Sequence, residues 1–496
     1  MRLPFSLPDV SDRPTSLRPP PRTDTALGAA MRREGEGHDA AHSGVRVLQS
    51  GRDALAARLA LIEAAEVAVD AQYYIWHDDV SGMLMFDALE RAARRGVRVR
   101  LLLDDNGIDG LDPFLAALNE CENFEVRIFN PSPIRRLKIL GFALNFFRMN
   151  HRMHNKALIV DGAATIIGGR NVGDEYFQVH QDIFYIDTDA IATGPVVTET
   201  AKIFDEYWNS APVIELERVV GDVADRPAYE AHLNEIRARD EACELRAEAD
   251  SFAHEITHGD LAFEWTTVSV IADDPRKGLG NAKRDQLLIH RMGEMLTRST
   301  HSLDVASAYF VPGKTGARYL TELARKDCKV RVLTNALDTT DVFLVHAGYS
   351  RYRRTLLKAG VELYELKLRA AAERTPDQQV LPLGLSGGSL HAKTFVMDER
   401  EVFIGSFNFD PRSARLNCEM GFLIDSPEIA ATVTQSFESL LPRITYQPRL
   451  TPENNMVWIE EREDGKDIIY QREPGANLFQ QIAFAIIQRL PIEWLL

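Results

Sequence analysis

The chain has 496 residues, enough for two domains, each with its own core. Its 57 Lys and Arg stand against 73 Asp and Glu, a formal charge of −16 at pH 7. Binding along a nucleic acid rests on neutralising phosphates, so this balance speaks against a protein that coats DNA or RNA and leaves room only for a local basic pocket.

The cysteines, Cys121, Cys243, Cys328 and Cys418, are far apart and form neither a metal-ligand spacing nor a disulfide framework. A reducing compartment is the simpler reading. Residues 1–43 are rich in proline, arginine and polar side chains and predict a flexible arm. The arm lacks the apolar run of a signal peptide or anchor, and no later stretch has the roughly 18 uninterrupted apolar residues of a membrane span. Any membrane contact is expected to be peripheral.

Residues 44–222 read as a first α/β domain: strand Val67–Trp76, a helix over Gly82–Arg95, and strands Val97–Leu103 and Glu125–Phe129. The charged, alanine-rich residues 223–252 predict a solvated helical linker. Residues 253–442 repeat the earlier order with strand Leu303–Val311, a helix over Ala317–Lys326, and strands Val330–Thr334 and Val361–Leu366. Residues 443–496 predict an extension packed on the second domain, with a hairpin around Asp464–Gly465 and an apolar helix Asn477–Leu490. Apolar strands alternating with amphipathic helices, in the same order twice, predict a duplicated α/β fold in which helices flank a mixed β-sheet in each half.

Each half then reaches the same motif. His154, Lys156, Asp161, Gly168, Gly169 and Asn171 match His391, Lys393, Asp398, Gly405, Ser406 and Asn408 in type and spacing. On extended chain, residues i and i+2 share a side, so His154 projects with Lys156 and His391 with Lys393. Asp161 and Asp398 end the strands and are expected to fix a loop or a nearby base. The glycines permit close backbone approach. Asn171 and Asn408 offer amide donors to a phosphoryl oxygen. Asp182 and Glu419 stand at matched distances beyond the asparagines and are the expected orienters of the imidazoles.

If the half-sites face each other, one pocket holds two imidazoles, two ammonium groups and two amides. That set serves phosphoryl transfer: an in-line nucleophile, an opposed proton donor and fixed positive charge around the equatorial oxygens. The lysines supply that charge, so no metal and no cofactor is expected. Tyr73, Tyr74, Tyr309 and Phe310 lie near strand ends and are candidate pocket walls. Asp104 and Asp105 also follow a strand but are given no catalytic role, and Asp273 to Gly278 reads as an exposed turn. A basic and apolar segment, Pro133 to Met153, and the cations Arg351, Arg353 and Arg354 are candidates for meeting anionic lipid.

The paired motif resembles the HKD signature of the phospholipase D superfamily, and the similarity runs from about Val45 to Pro442. Segments such as Gln72–Trp76, Gly168–Phe177, Ala308–Gly313, Tyr352–Glu365 and Gly405–Gly421 resemble the bacterial cardiolipin synthases that lack an N-terminal transmembrane hairpin. The resemblance implies one active site at the interface of two domains and a phosphohistidine intermediate, with His154 as nucleophile and His391 as general acid. It implies transfer of a phosphatidyl group to phosphatidylglycerol, from phosphatidylglycerol or phosphatidylethanolamine, at the inner face of a bacterial cytoplasmic membrane. Lipid hydrolysis and nuclease or phosphodiesterase activity are the alternatives within the superfamily. A dependence on an accessory protein stays open, and nucleic acid is the less expected partner.

Overall fold

The duplication is visible strand by strand in a computed structural model, which describes residues 7–20, 22, 24–135, 138–179, 184–340, 342–367, 388–439, 441–462 and 465–475. Seven strands of the first sheet run in the spatial order Asp189–Thr193, Ala164–Gly168, Ala157–Val160, Ala68–Ile75, Arg98–Gly107, Phe124–Phe129, Val213–Glu215. The second sheet repeats it as Met420–Asp425, Glu401–Gly405, Lys393–Met397, Ser302–Ser307, Lys329–Asn335, Glu362–Leu366, Thr445–Leu450. In both, the fourth, fifth and sixth strands are parallel, joined by crossover helices, and the rest pair antiparallel. Each sheet is mixed, as the sequence predicts.

Helices cover the outer face of each sheet, because the strands are apolar on both sides and need two covers. The inner faces meet. Val45, Ala157, Ile167 and Ala190 of the first half share one buried cluster with Val270, Val396, Ile404 and Phe422 of the second. The chain passes between sheets at Thr267: Glu264–Thr266 pairs with Ser43–Val45, and Val268–Ala272 pairs with Met420–Ile424.

Two expectations change, the arm and the linker, while the expected hairpin of the extension is present. The arm carries helix Ala26–Glu34, capped by Thr25, with Leu27, Ala30 and Met31 buried. Before it, Arg13 donates to Val213 O at 2.6 Å. Apolar residues at i and i+4 were enough to dock a segment whose overall composition suggests a loose tail. The linker is likewise a packed element: helices Arg226–Arg237 and Asp240–His258 bury Tyr229, Leu233, Ile236, Leu245, Phe252 and Ile256 in the first core. The extension adds strands Met456–Glu460 and Ile468–Tyr470, which pair as a hairpin on the second sheet. Asp464 and the helix expected at Asn477–Leu490 lie outside the described residues.

Candidate active site

The strand before each motif histidine is fastened to the opposite half. His154 N–H donates to Cys418 O at 2.8 Å, and Cys418 N–H donates to Arg152 O at 2.8 Å. Ser389 and Leu390 pair in parallel with Tyr185 and Ile186, and His391 N–H donates to Ile186 O at 2.8 Å. The next residue of each partner strand is an acid.

Those acids hold the imidazoles. His154 Nδ1 lies 2.9 Å from Glu419 Oε2 and 3.2 Å from Ser406 O. His391 Nδ1 lies 2.5 Å from Asp187 Oδ2. An Nδ1–H donated to a carboxylate leaves the Nε2 lone pair for chemistry. Glu419 therefore stands where an orienting acid is expected, but on the histidine of the other half. Asp182 lies outside the described residues; the acid on His391 is Asp187, five positions later. The loop from asparagine to acid is longer in the first half, so equal spacing misleads. Gly169 has a steric reason: a Cβ there would sit 2.1 Å from Asp187 Oδ1. Ser406, the matching residue of the second motif, instead donates its hydroxyl to Glu419.

Lys156 and Lys393 are buried beside their histidines. Lys156 Nζ donates to His154 O at 2.6 Å, and Lys393 Nζ lies 2.7 Å from His391 Nδ1 and 3.8 Å from Asp187 Oδ2. Asn171 Oδ1 accepts from Ile75 N–H at 3.2 Å and Asn408 Oδ1 from Tyr309 N–H at 3.4 Å, which directs each amide nitrogen away from that strand. Aromatic rings stand against both imidazoles: Tyr74 meets His154 edge-on at 5.0 Å, while Tyr176 and Tyr185 each lie 5.1 Å from His391. Of the predicted walls, Tyr74 is in place. Tyr73 is buried with its hydroxyl on Arg58, and Phe310 packs against Tyr349 in the second core.

Asp161 and Asp398 do not reach the histidines. Asp161 accepts from the backbone N–H of Glu66, Val67 and Ala68 at 3.0, 2.8 and 2.9 Å. Asp398 accepts from Thr300, His301 and Ser302 at 3.0, 2.7 and 3.0 Å. Each carboxylate gathers the start of the neighbouring strand onto the end of the motif strand. Both carboxylates thus bind strand backbone and not the motif imidazoles.

Another layer positions the strands themselves. Asp104, at the end of its strand, accepts from Met153 N–H at 2.8 Å and pairs with Arg152 at 3.1 Å. Asn335 does the matching work in the second half: Leu390 N–H donates to its Oδ1 at 2.8 Å and its Nδ2 donates to Leu390 O at 2.9 Å. Both brace the residue immediately before a motif histidine. Asp273 is no exposed turn. It is buried, pairs with Lys277 at 2.8 Å, and accepts from Glu419 N–H at 2.9 Å. Arg353 is buried on Glu365 and Glu473 and is not open to lipid. His77, Asp79 and Glu175 cluster beside the first motif, but Asp79 caps the helix Val80–Arg94 and also accepts from Asp174 N–H.

Burial, with the charges of Lys156 and Lys393, holds His154 well below the usual imidazole range. Burial and Lys393 also lower His391, opposed by Asp187. Burial would raise Asp187, but Lys393 and His391 outweigh it and bring its carboxyl down to about 2. Burial raises Glu419, against the pull of Lys156. The two imidazoles thus differ: one faces a carboxylate of raised affinity for protons, the other a firmly ionised one.

A family model described as cardiolipin synthase, PLD-like domain, matches residues 59–208 and again 292–441. The chain belongs to this phospholipase D-like family. Cardiolipin synthase C of Escherichia coli (strain K12) is 43% identical over 458 residues, covering 91% of this chain and 96% of that one. The major cardiolipin synthase of Bacillus subtilis (strain 168) is 26% identical, covering 84% and 73%. A crystal structure of phosphatidylserine synthase from Haemophilus influenzae has a TM-score of 0.55 at 12% identity, covering 90% of this chain and 91% of that one, which shows the shared fold. Each copy of the family domain contains one motif, and the histidine of each motif is held by an acid of the other copy.

Proposed function

We propose that this family member is a cardiolipin synthase working by double displacement on a histidine. His154 Nε2 attacks the phosphorus of a donor phospholipid, and His391 gives a proton to the departing headgroup alcohol. The resulting phosphatidyl–His154 bond is then broken by the glycerol hydroxyl of phosphatidylglycerol, which surrenders its proton to His391. Cardiolipin leaves and both imidazoles return to their starting states. Lys156, Lys393, Asn171 and Asn408 bind the non-bridging phosphoryl oxygens, where charge is held through both steps.

The observation that carries this reading is the exchange of acids between halves. A neutral imidazole on Glu419 suits attack, and an imidazole on ionised Asp187 suits carrying a proton. Asp161 and Asp398 support the strands only. Phosphatidylglycerol is the acceptor, and phosphatidylethanolamine is a second candidate donor because it presents the same phosphodiester. Water at the same intermediate would give phosphatidic acid. A membrane-surface location follows from the substrate, and among the described residues no helix is long and apolar enough to cross a membrane.

The test is to incubate the protein with labelled phosphatidylglycerol, alone and with phosphatidylethanolamine. Labelled cardiolipin is expected. Cleavage of nucleic acid without any lipid product would overturn the reading.

A further inference from the structure

The exposed large apolar side chains of the described residues are scattered singly, with one exception. Phe147 is 85% exposed and Leu144 52%, three positions apart, on the adjoining short helices Lys138–Leu144 and Phe146–Met149. Phe142 and Phe147 each meet Phe146 edge-on, at 5.3 and 5.7 Å, so the projection is an aromatic knob rather than a loose loop.

Among the described residues, the cations of this segment are held by neighbouring groups rather than left free for lipid as the sequence suggests. Arg135 pairs with Asp105 and Asp112, Lys138 with Asp109 at 2.6 Å, and Arg152 with Asp104. Arg148 donates to Pro131 O at 3.1 Å. They fasten the knob and cancel nearby carboxylates. From Val126 to Val160 the chain has no acidic residue, in a protein of net charge −16. The segment itself thus presents no carboxylate to an anionic bilayer.

The knob is also rooted close to the first motif histidine. Five residues lead from Met149 to His154, at most about 18 Å of extended chain. Asn150, at the root, is held by Arg412 at 2.7 and 2.9 Å, and Arg412 lies just beyond Asn408 of the other motif.

Resting on the lipid-substrate reading, we infer that Phe147 and Leu144 insert into the apolar edge of a phospholipid bilayer and set the reacting pocket at headgroup depth. Insertion of this kind is driven by apolar area, so it resists salt. An aromatic knob on a short, braced stem beside the site fits a bilayer because the proposed substrate resides there.

The test uses the full chain and vesicles of phosphatidylglycerol and phosphatidylethanolamine. The double variant Leu144→Ser with Phe147→Ser is expected to lose vesicle co-sedimentation by roughly tenfold or more, since burying one such side chain is worth about that factor. Its turnover of dispersed short-chain phosphatidylglycerol should match the unaltered protein. Phe147→Trp should show a blue-shifted emission on vesicles that persists in high salt. Equal vesicle binding by the double variant, no vesicle binding by the unaltered protein, or an emission unchanged by vesicles would each overturn the inference. Failure of the unaltered protein to turn over short-chain lipid, with vesicle binding intact, would instead count against the proposed reaction.

Discussion

His154 and Glu419 lie 265 positions apart in the chain and 2.9 Å apart in space, and they belong to opposite halves of the duplicated fold. His391 and Asp187 repeat the exchange in the other direction. Neither half holds a complete histidine–acid pair. Each imidazole is therefore oriented only across the interface between the two domains.

The exchange predicts what removing one acid does. Glu419→Gln and Asp187→Asn keep shape but lose the charge that fixes the tautomer and supports the imidazolium. Each should lower kcat by about a hundredfold or more without unfolding the protein, judged on comparable mutations in triads. Steady-state cardiolipin formation beside circular dichroism checks it; near-normal turnover would remove the orienting role.

Asp161 and Asp398 predict the opposite pattern. Asp161→Ala strands three backbone N–H groups that its carboxylate now holds. The cost should be about 2–4 kcal/mol of stability, on the usual cost of unsatisfied buried donors. The fraction that stays folded should keep most of its turnover. Urea denaturation with activity measured in the same samples separates these effects.

A third prediction concerns pH. The proposed reaction needs His154 neutral and His391 protonated, so kcat/KM should be bell-shaped. Both histidines are held below the usual imidazole value, and His154 strongly so. Activity is then lost on the alkaline side as His391 gives up its proton, and on the acidic side only when His154 gains one. Asp187 raises His391 toward the usual value. Removing it in Asp187→Asn should move the alkaline limb to lower pH. A limb that stays in place would deny His391 the role of acid.

The braces Asp104 and Asn335 give a fourth. Asp104→Ala leaves Arg152 buried without its carboxylate as well as freeing Met153 N–H, and breaking one side of a buried pair costs about 3–5 kcal/mol. Asn335→Ala loses two neutral hydrogen bonds on Leu390 and should cost less stability, roughly 1–3 kcal/mol. Thermal unfolding of the two variants should rank them in that order.

Much of the fold was legible because it rests on local pattern. Apolar strands and amphipathic helices recur in order, and the paired motif marks the same strand in each half. Glu419 could be found by counting from Asn408. Asp187 could not, since the first half has a longer loop and nothing local announces where it returns. Asp273, Asp104 and Asn335 were invisible for a related reason: each acts on backbone far away in sequence. The arm and the linker were misread because composition averages over a segment, whereas docking needs only a few apolar residues on one face, such as Leu27 and Met31 or Leu233 and Ile236.

The central claim is a covalent bond between lipid phosphorus and His154. The direct measurement uses His391→Gln with a phosphatidyl donor carrying 4-nitrophenol, whose departure needs no proton. After rapid quenching, peptide mass spectrometry should find the phosphatidyl group on His154, with one nitrophenolate released per enzyme. Label on another residue, or release of nitrophenolate with no covalent adduct at any time, would contradict the account.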